Sequence, residues 1–103
     1  MITVYGEALV DLVPSTPGPL ALLTPAVGGG PFNVARALGR LGSAVAFQSR
    51  LSTDAYGVAL RRSLIDAGVD LSQCSAGSEP TTLAVASLLD DGSATYTFYV
   101  NGT

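Results

Sequence analysis

Hydrophobic and polar positions alternate or recur in short blocks along the chain, and each block predicts one element. Ile2 to Val13 is rich in β-branched and aliphatic residues and reads as a first strand, interrupted at Gly6-Glu7, where the glycine suggests a bulge or a close backbone approach. Residues 14 to 27 carry four prolines and a glycine, which rules out a central strand or a long helix. An excursion with a short edge strand around Leu20 to Leu23 is expected there. Beyond it, Val34, Leu38 and Leu41 recur at i, i+4 and i+7 behind Pro31, so a helix should begin at Gly28-Gly29-Gly30 and end near Gly42. Ser43 to Leu51 reads as a second core strand, paired in parallel with the first in a βαβ-like unit.

A second helix should start at Ser52-Thr53-Asp54, with any of these three as N-cap, and run to about Ala67 before Gly68. Leu60, Leu64 and Ala67 would face inward, and Arg61, Arg62 and Asp66 outward. Val69-Asp70-Leu71 would open another short strand, and Ser72 to Pro80 reads as a polar connector. Thr82 to Leu89 and Ala94 to Val100 alternate around Asp90-Asp91-Gly92-Ser93, a strong hairpin signal because Asp-Gly accepts the positive φ that such turns need. In this hairpin Tyr96, Phe98 and Val100 share one face, and Thr95, Thr97 and Tyr99 the other. It could serve as a lid over a ligand, as a surface that pairs with a second subunit, or as a plain core hairpin.

Composition narrows the chemistry. The chain has 103 residues, enough for one small domain, while strands alternating with helices imply an α/β sheet of a kind that usually needs more chain. Five arginines with no lysine or histidine stand against eight acidic side chains, so nothing would neutralise a nucleic-acid backbone and no nucleic-acid partner is expected. Without histidine, and with Cys74 as the single cysteine, a His/Cys metal site and an internal disulfide are both excluded. No apolar run approaches membrane-spanning length and the start lacks the basic region of a signal peptide; no membrane partner is expected, and a cytoplasmic location is the default.

Two places carry candidate chemistry. The triple glycine can bring a ligand against the main chain, and the helix start behind it offers free N–H groups together with the amide of Asn33. Such loops also serve as simple tight turns. Asp11 follows the apolar run Ala8-Leu9-Val10, and an ionised carboxylate among such neighbours needs a partner, either a ligand hydroxyl or nearby backbone in a turn before Pro14.

Taken in order, these pieces resemble the N-terminal third of the ribokinase-like (PfkB-type) carbohydrate kinases, especially the fructokinase-like branch. Gly6-Glu7-Ala8-Leu9-Val10-Asp11 is similar to the family's first strand with its substrate aspartate. Gly28 to Ala35, with Leu38 and Leu41-Gly42, resembles its first signature, Gly-Gly-x-x-x-Asn-x-Ala. Ser52-Thr53-Asp54-Ala55-Tyr56-Gly57 is similar to the Gly-x-Asp-x-x-Gly turn, with serine in place of the frequent glycine, and Pro80 to Val85 with Tyr96 to Tyr99 resembles the lid hairpin.

The resemblance implies an α/β fold, part of a ribokinase-like Rossmann-type sandwich with a small β lid whose strands lie near 8–23 and 81–100. It makes residues 1–103 the N-terminal part of a single sugar-kinase domain. The implied activity is ATP-dependent phosphorylation of a sugar hydroxyl, fructose favoured, with Asp11, Gly28, Gly29, Gly30 and Asn33 holding the sugar and one of Tyr96, Phe98 and Tyr99, Phe98 by preference, covering it from the lid. A homodimer through the lid strands is a further implication. The family's Gly-x-Gly-Asp signature and its ATP loops do not occur in these residues. ATP and Mg2+ would therefore be bound by residues outside this chain, and the 103 residues alone should be inactive. Two alternatives remain from the residues themselves. One is a dinucleotide-binding Rossmann domain, weakened because Asn33 replaces the third glycine of that fingerprint; the other is a non-catalytic dimerisation module.

Overall fold

The computed structural model describes residues 1–18 and 20–100; Pro19, one of the prolines of the predicted excursion, lies outside the described residues. Strand β1 (Ile2–Tyr5) pairs in parallel with β4 (Val45–Gln48), which is the parallel pairing expected from the βαβ pattern. The first apolar block, however, is two strands rather than one. At Gly6 the chain turns with φ 150°, and β2 (Leu9–Pro14) enters a different sheet. The turn is tight because a Cβ on Gly6 would lie 2.5 Å from Pro31 Cγ, so only glycine lets the chain pass here.

That second sheet has the order β3-β2-β7-β8, with β3 at Leu23–Gly28, β7 at Leu83–Leu88 and β8 at Ala94–Tyr99. The edge strand therefore begins where the sequence reading ended it. Its pairing with β2 runs from Leu9↔Gly28 to Pro14↔Leu23, so Leu20 and Leu22 lie beyond the last partner and are almost wholly exposed. Pro25 is tolerated because β3 is an edge strand, where a missing N–H removes no ladder bond. The hairpin is as expected: Gly92 takes φ 86°, and Asp91 accepts hydrogen bonds from the Ser93 N–H and hydroxyl, which hold its carboxyl below the usual range.

Helix α1 (Gly30–Arg40) buries Phe32 and Ala35, not the predicted Val34 and Leu41, which are 51% and 81% exposed. Gly39 explains the choice of face. A Cβ there would collide with the carbonyl of Ala67, so the stripe Phe32, Ala35, Gly39 is the one that allows close packing against the end of helix α2 (Ala55–Asp66). Phe32 then meets Phe47 edge to face, with centroids 6.4 Å apart. On α2 the predicted stripe holds: Leu60, Leu64 and Ala67 are buried, with Val10, Val45, Phe47, Leu51 and Val69 completing the core.

Two further predictions are refined. Ser43 to Leu51 is broken at Ser49, and β5 (Arg50–Ser52) pairs with β6 (Ser75–Gly77) inside the stretch read as a connector. Ser-Ala-Gly has little β propensity of its own, and the pairing is imposed by the backbone beside it, which Thr53 extends with an N–H to the Gly77 carbonyl at 2.9 Å. Val69-Asp70-Leu71 makes only a bridge between Asp70 and Ala46. Cys74 is a free thiol; burial pushes its pKa up, and Sγ donates to the Phe47 carbonyl.

Candidate functional site

Successive residues of a strand point to opposite faces, and this alternation decides what becomes of Asp11. Val10 is buried in the core on one side of β2, so Asp11 projects from the other and stays half-exposed. Of the two alternatives for Asp11, the turn before Pro14 is not formed: Asp11 lies within a six-residue strand paired on both sides, with Ala26 of β3 and with Ala84 of β7. Its carboxylate makes no hydrogen bond or ion pair among the described residues.

The surroundings of Asp11 are small. Ala26 and Ala84 flank it, and Gly28 is its diagonal neighbour; a Cβ on Gly28 would sit 2.5 Å from Asp11 Oδ2. The absent side chain leaves the carboxylate reachable. Register carries the same row across to β8, because Ala84 pairs with Phe98 and Ala86 with Tyr96. Phe98 thus shares a face with Asp11, two strands and about 10 Å away at the usual interstrand spacing, whereas Tyr99 is on the opposite face. Phe98 is 60% exposed.

Gly29 and Gly30 link this face to α1. Gly29 has φ 103°, and a Cβ on it would be 3.0 Å from the Glu7 carbonyl oxygen, so the glycine loop is seated on the crossing between β1 and β2. Gly30 meets nothing within 4 Å. Asn33 is exposed in the first turn of α1, its N–H donating to the Gly29 carbonyl at 2.9 Å. Asp11, Gly28 and Phe98 are therefore on one sheet face, and Gly29, Gly30 and Asn33 are where that sheet returns to the core. Tyr96, on the Phe98 side, lies on the same face as Asp11 as well; the period of two had paired the two aromatics, but only the strand register shows which face they share.

An open cleft of about 690 Å³ lies at the carboxyl ends of β1 and β4, lined by Tyr5, Glu7, Gln48, Arg50 and Thr81 among others. It includes neither Asp11 nor Asn33. Its polar groups are partly committed, Arg50 to Glu79 at 3.1 Å, and the Thr81 hydroxyl to Asp54. The unpartnered carboxylate of Asp11 makes the sheet face the stronger candidate.

The chain is 42% identical over 105 residues to a fructokinase of Rhizobium leguminosarum bv. trifolii, covering all of this chain and 32% of that protein. To a fructokinase of Escherichia coli it is 35% identical over 100 residues, again covering 32% of the relative. Among solved structures, the Xylella fastidiosa fructokinase with bound ATP superposes with a TM-score of 0.86 at 35% identity, covering 96% of this chain and 32% of that one. Halothermothrix orenii fructokinase gives 0.86 at 28% identity over 96% of this chain and 37% of its own. The chain spans about a third of the length of these relatives. Its match to the pfkB family carbohydrate kinases runs over residues 1–103, and the chain belongs to that family.

Proposed function

We propose that these residues form the sugar-holding part of an ATP-dependent carbohydrate kinase, with fructose the favoured acceptor. The observation that carries this reading is the Asp11 carboxylate, unpartnered among the described residues and bared by Gly28 on a sheet face edged by Phe98. A sugar offers what such a group lacks: neutral hydroxyls that donate to a carboxylate, with an apolar ring face for an aromatic. Gly28, Gly29 and Gly30 let the ring lie against backbone, Asn33 bonds a further hydroxyl, and Phe98 covers the sugar when the lid closes and excludes water.

These are holding roles, and phosphoryl transfer depends on them, since positioning alone can contribute roughly 7–11 kcal/mol of barrier reduction. On this reading ATP and Mg2+ are bound by residues outside this chain. The 103 residues are then the N-terminal part of one sugar-kinase domain, bind sugar and do not transfer phosphate by themselves. The lid sheet also offers a homodimer contact, with β3 and β8 as its two free edges and Tyr96, Phe98 and Tyr99 exposed; light scattering behind size exclusion reads this directly. No helix is long and apolar enough to cross a membrane among the described residues.

The test is a fructose phosphorylation assay on the complete enzyme with Asp11→Ala and Asn33→Ala. Each should lower kcat/KM by at least about 10-fold, as removal of a hydrogen bond to a charged or bidentate partner does. Wild-type turnover in both variants would overturn the site. Phosphorylation of ribose or a nucleoside, equally dependent on Asp11, would keep the kinase and displace fructose.

A further inference from the structure

The four-stranded sheet joins the rest of the chain at three crossings: residues 6–8, 28–29 and 78–82. The first two are seated by close approach, Gly6 on Pro31 and Gly29 on the Glu7 carbonyl. The third carries the Arg50–Glu79 ion pair at 3.1 Å and is held at Thr81 by the carboxylate of Asp54. Asp54, the N-cap of α2, accepts the Gly57 N–H at 2.7 Å, and it also accepts the Thr81 hydroxyl at 2.6 Å and the Thr81 N–H at 2.8 Å.

Capping a helix needs only the first of these bonds. The other two reach 27 residues along the chain to a threonine that is 7% exposed and stands two residues before β7. Its neighbour Thr82 accepts the Val10 N–H through its carbonyl at 3.0 Å, and the residue after Val10 is Asp11. An unbroken set of bonds therefore runs from the start of α2 to the strand that carries the candidate sugar aspartate. Burial alone would raise the Asp54 pKa, but the bonds from Thr81 and Gly57 outweigh it and hold the carboxyl below its usual value.

We propose that Asp54 is a positioning residue: it clamps Thr81 at the entry to β7 and so sets the Ala84–Phe98 row beside Asp11. The consequence for ligand binding rests on the sugar-site reading, whereas the clamp is measurable without any ligand.

Two variants separate clamp from cap. Asp54→Ser keeps a hydroxyl acceptor for the Gly57 N–H but is too short to serve Thr81 as well; Asp54→Ala removes both functions. Hydrogen exchange on the 103-residue chain is the measurement. In Asp54→Ser the amides of Thr81 and β7 should exchange about 10-fold faster while those of α2 stay within about twofold of wild type, and Asp54→Ala should speed both regions. Unchanged exchange at Thr81 in the serine variant, equal loosening of α2 and β7, or an unprotected Thr81 amide in wild type would each overturn the clamp. Added fructose should slow β7 and β8 exchange in wild type and less in Asp54→Ser; equal slowing in both would remove the positioning role. If fructose has no effect on wild type while the serine variant still loosens β7, the sugar-site reading fails and the clamp stands.

Discussion

Gly28→Ala puts one methyl group where the candidate site needs empty space. Its Cβ would lie 2.5 Å from Asp11 Oδ2 and 3.6 Å from Leu9 Cδ1. The first distance is about 1 Å inside van der Waals contact, so something must move, and the mobile partner is the end of the Asp11 side chain rather than backbone. Swinging the carboxylate aside costs about 0.5–1.5 kcal/mol in rotamer strain, while alanine recovers about 0.4–1 kcal/mol by restricting the unfolded chain. Stability should thus change by less than about 1 kcal/mol, because Gly28 is not among the positive-φ glycines. Binding has no such offset. Displacing the carboxylate forfeits a charge-assisted hydrogen bond worth about 1.5–3 kcal/mol, so fructose affinity should fall roughly 10- to 100-fold. Calorimetric titration with fructose and a thermal melt on the same preparation read the two quantities separately. Wild-type fructose affinity with the methyl present would refute the reasoning, and so would a large drop in melting temperature, since the loss of affinity would then reflect a damaged sheet.

Gly29→Ala should behave in the opposite way. Its φ of 103° and the Glu7 carbonyl 3.0 Å from the new Cβ leave backbone against backbone, and a loss of about 1–3 kcal/mol in denaturant unfolding is expected. Leu64→Ala removes a fully buried side chain from the centre of the core and should cost about 2–5 kcal/mol by the same measurement, with no separate effect on sugar affinity once the protein is folded. Asp54 makes stability depend on pH. Its folded pKa lies below the unfolded value of about 3.9, so its contribution is complete above that pH and is lost as the pH falls through the folded value. The stability gap between wild type and Asp54→Ser should accordingly be widest near neutral pH and shrink on acidification; a gap that is constant from neutral to acid would count against the bonds to Thr81.

Much of the architecture is legible in local pattern. The period of two around Asp-Gly locates the hairpin, and the spacing of Leu60, Leu64 and Ala67 orients α2, because in both cases neighbouring residues alone decide the outcome. Where pattern fails, the deciding partner is distant in sequence. Val34 and Leu41 are as apolar as Phe32 and Leu38, but Gly39 must face Ala67, and nothing near residue 39 announces that. The division of Ile2 to Val13 between two sheets likewise depends on Pro31 pressing on Gly6 from the far side of the excursion. Asp11, Gly28 and Asn33 can be picked out by residue type, but that Phe98 rather than Tyr99 faces Asp11 follows only from the pairing of Ala84 with both strands.

The glycine loop invites an anion-site interpretation, since a helix start offers free N–H groups to a phosphate. Its own residues argue against that use. Pro31 has no N–H to give, and Phe32 is buried. The loop also returns from the end of β3, where Gly28 lies against the Asp11 carboxylate, and a negative charge 2.5 Å from the position of its missing Cβ would repel a phosphate approaching the same glycines. A neutral polyol meets the opposite situation, because its hydroxyls can donate to the carboxylate and accept from Asn33. Inorganic phosphate should therefore compete weakly, if at all, with fructose at this loop. Strong competition by phosphate in the absence of nucleotide would place the transferred group, and not the sugar, on Gly28 and Gly29.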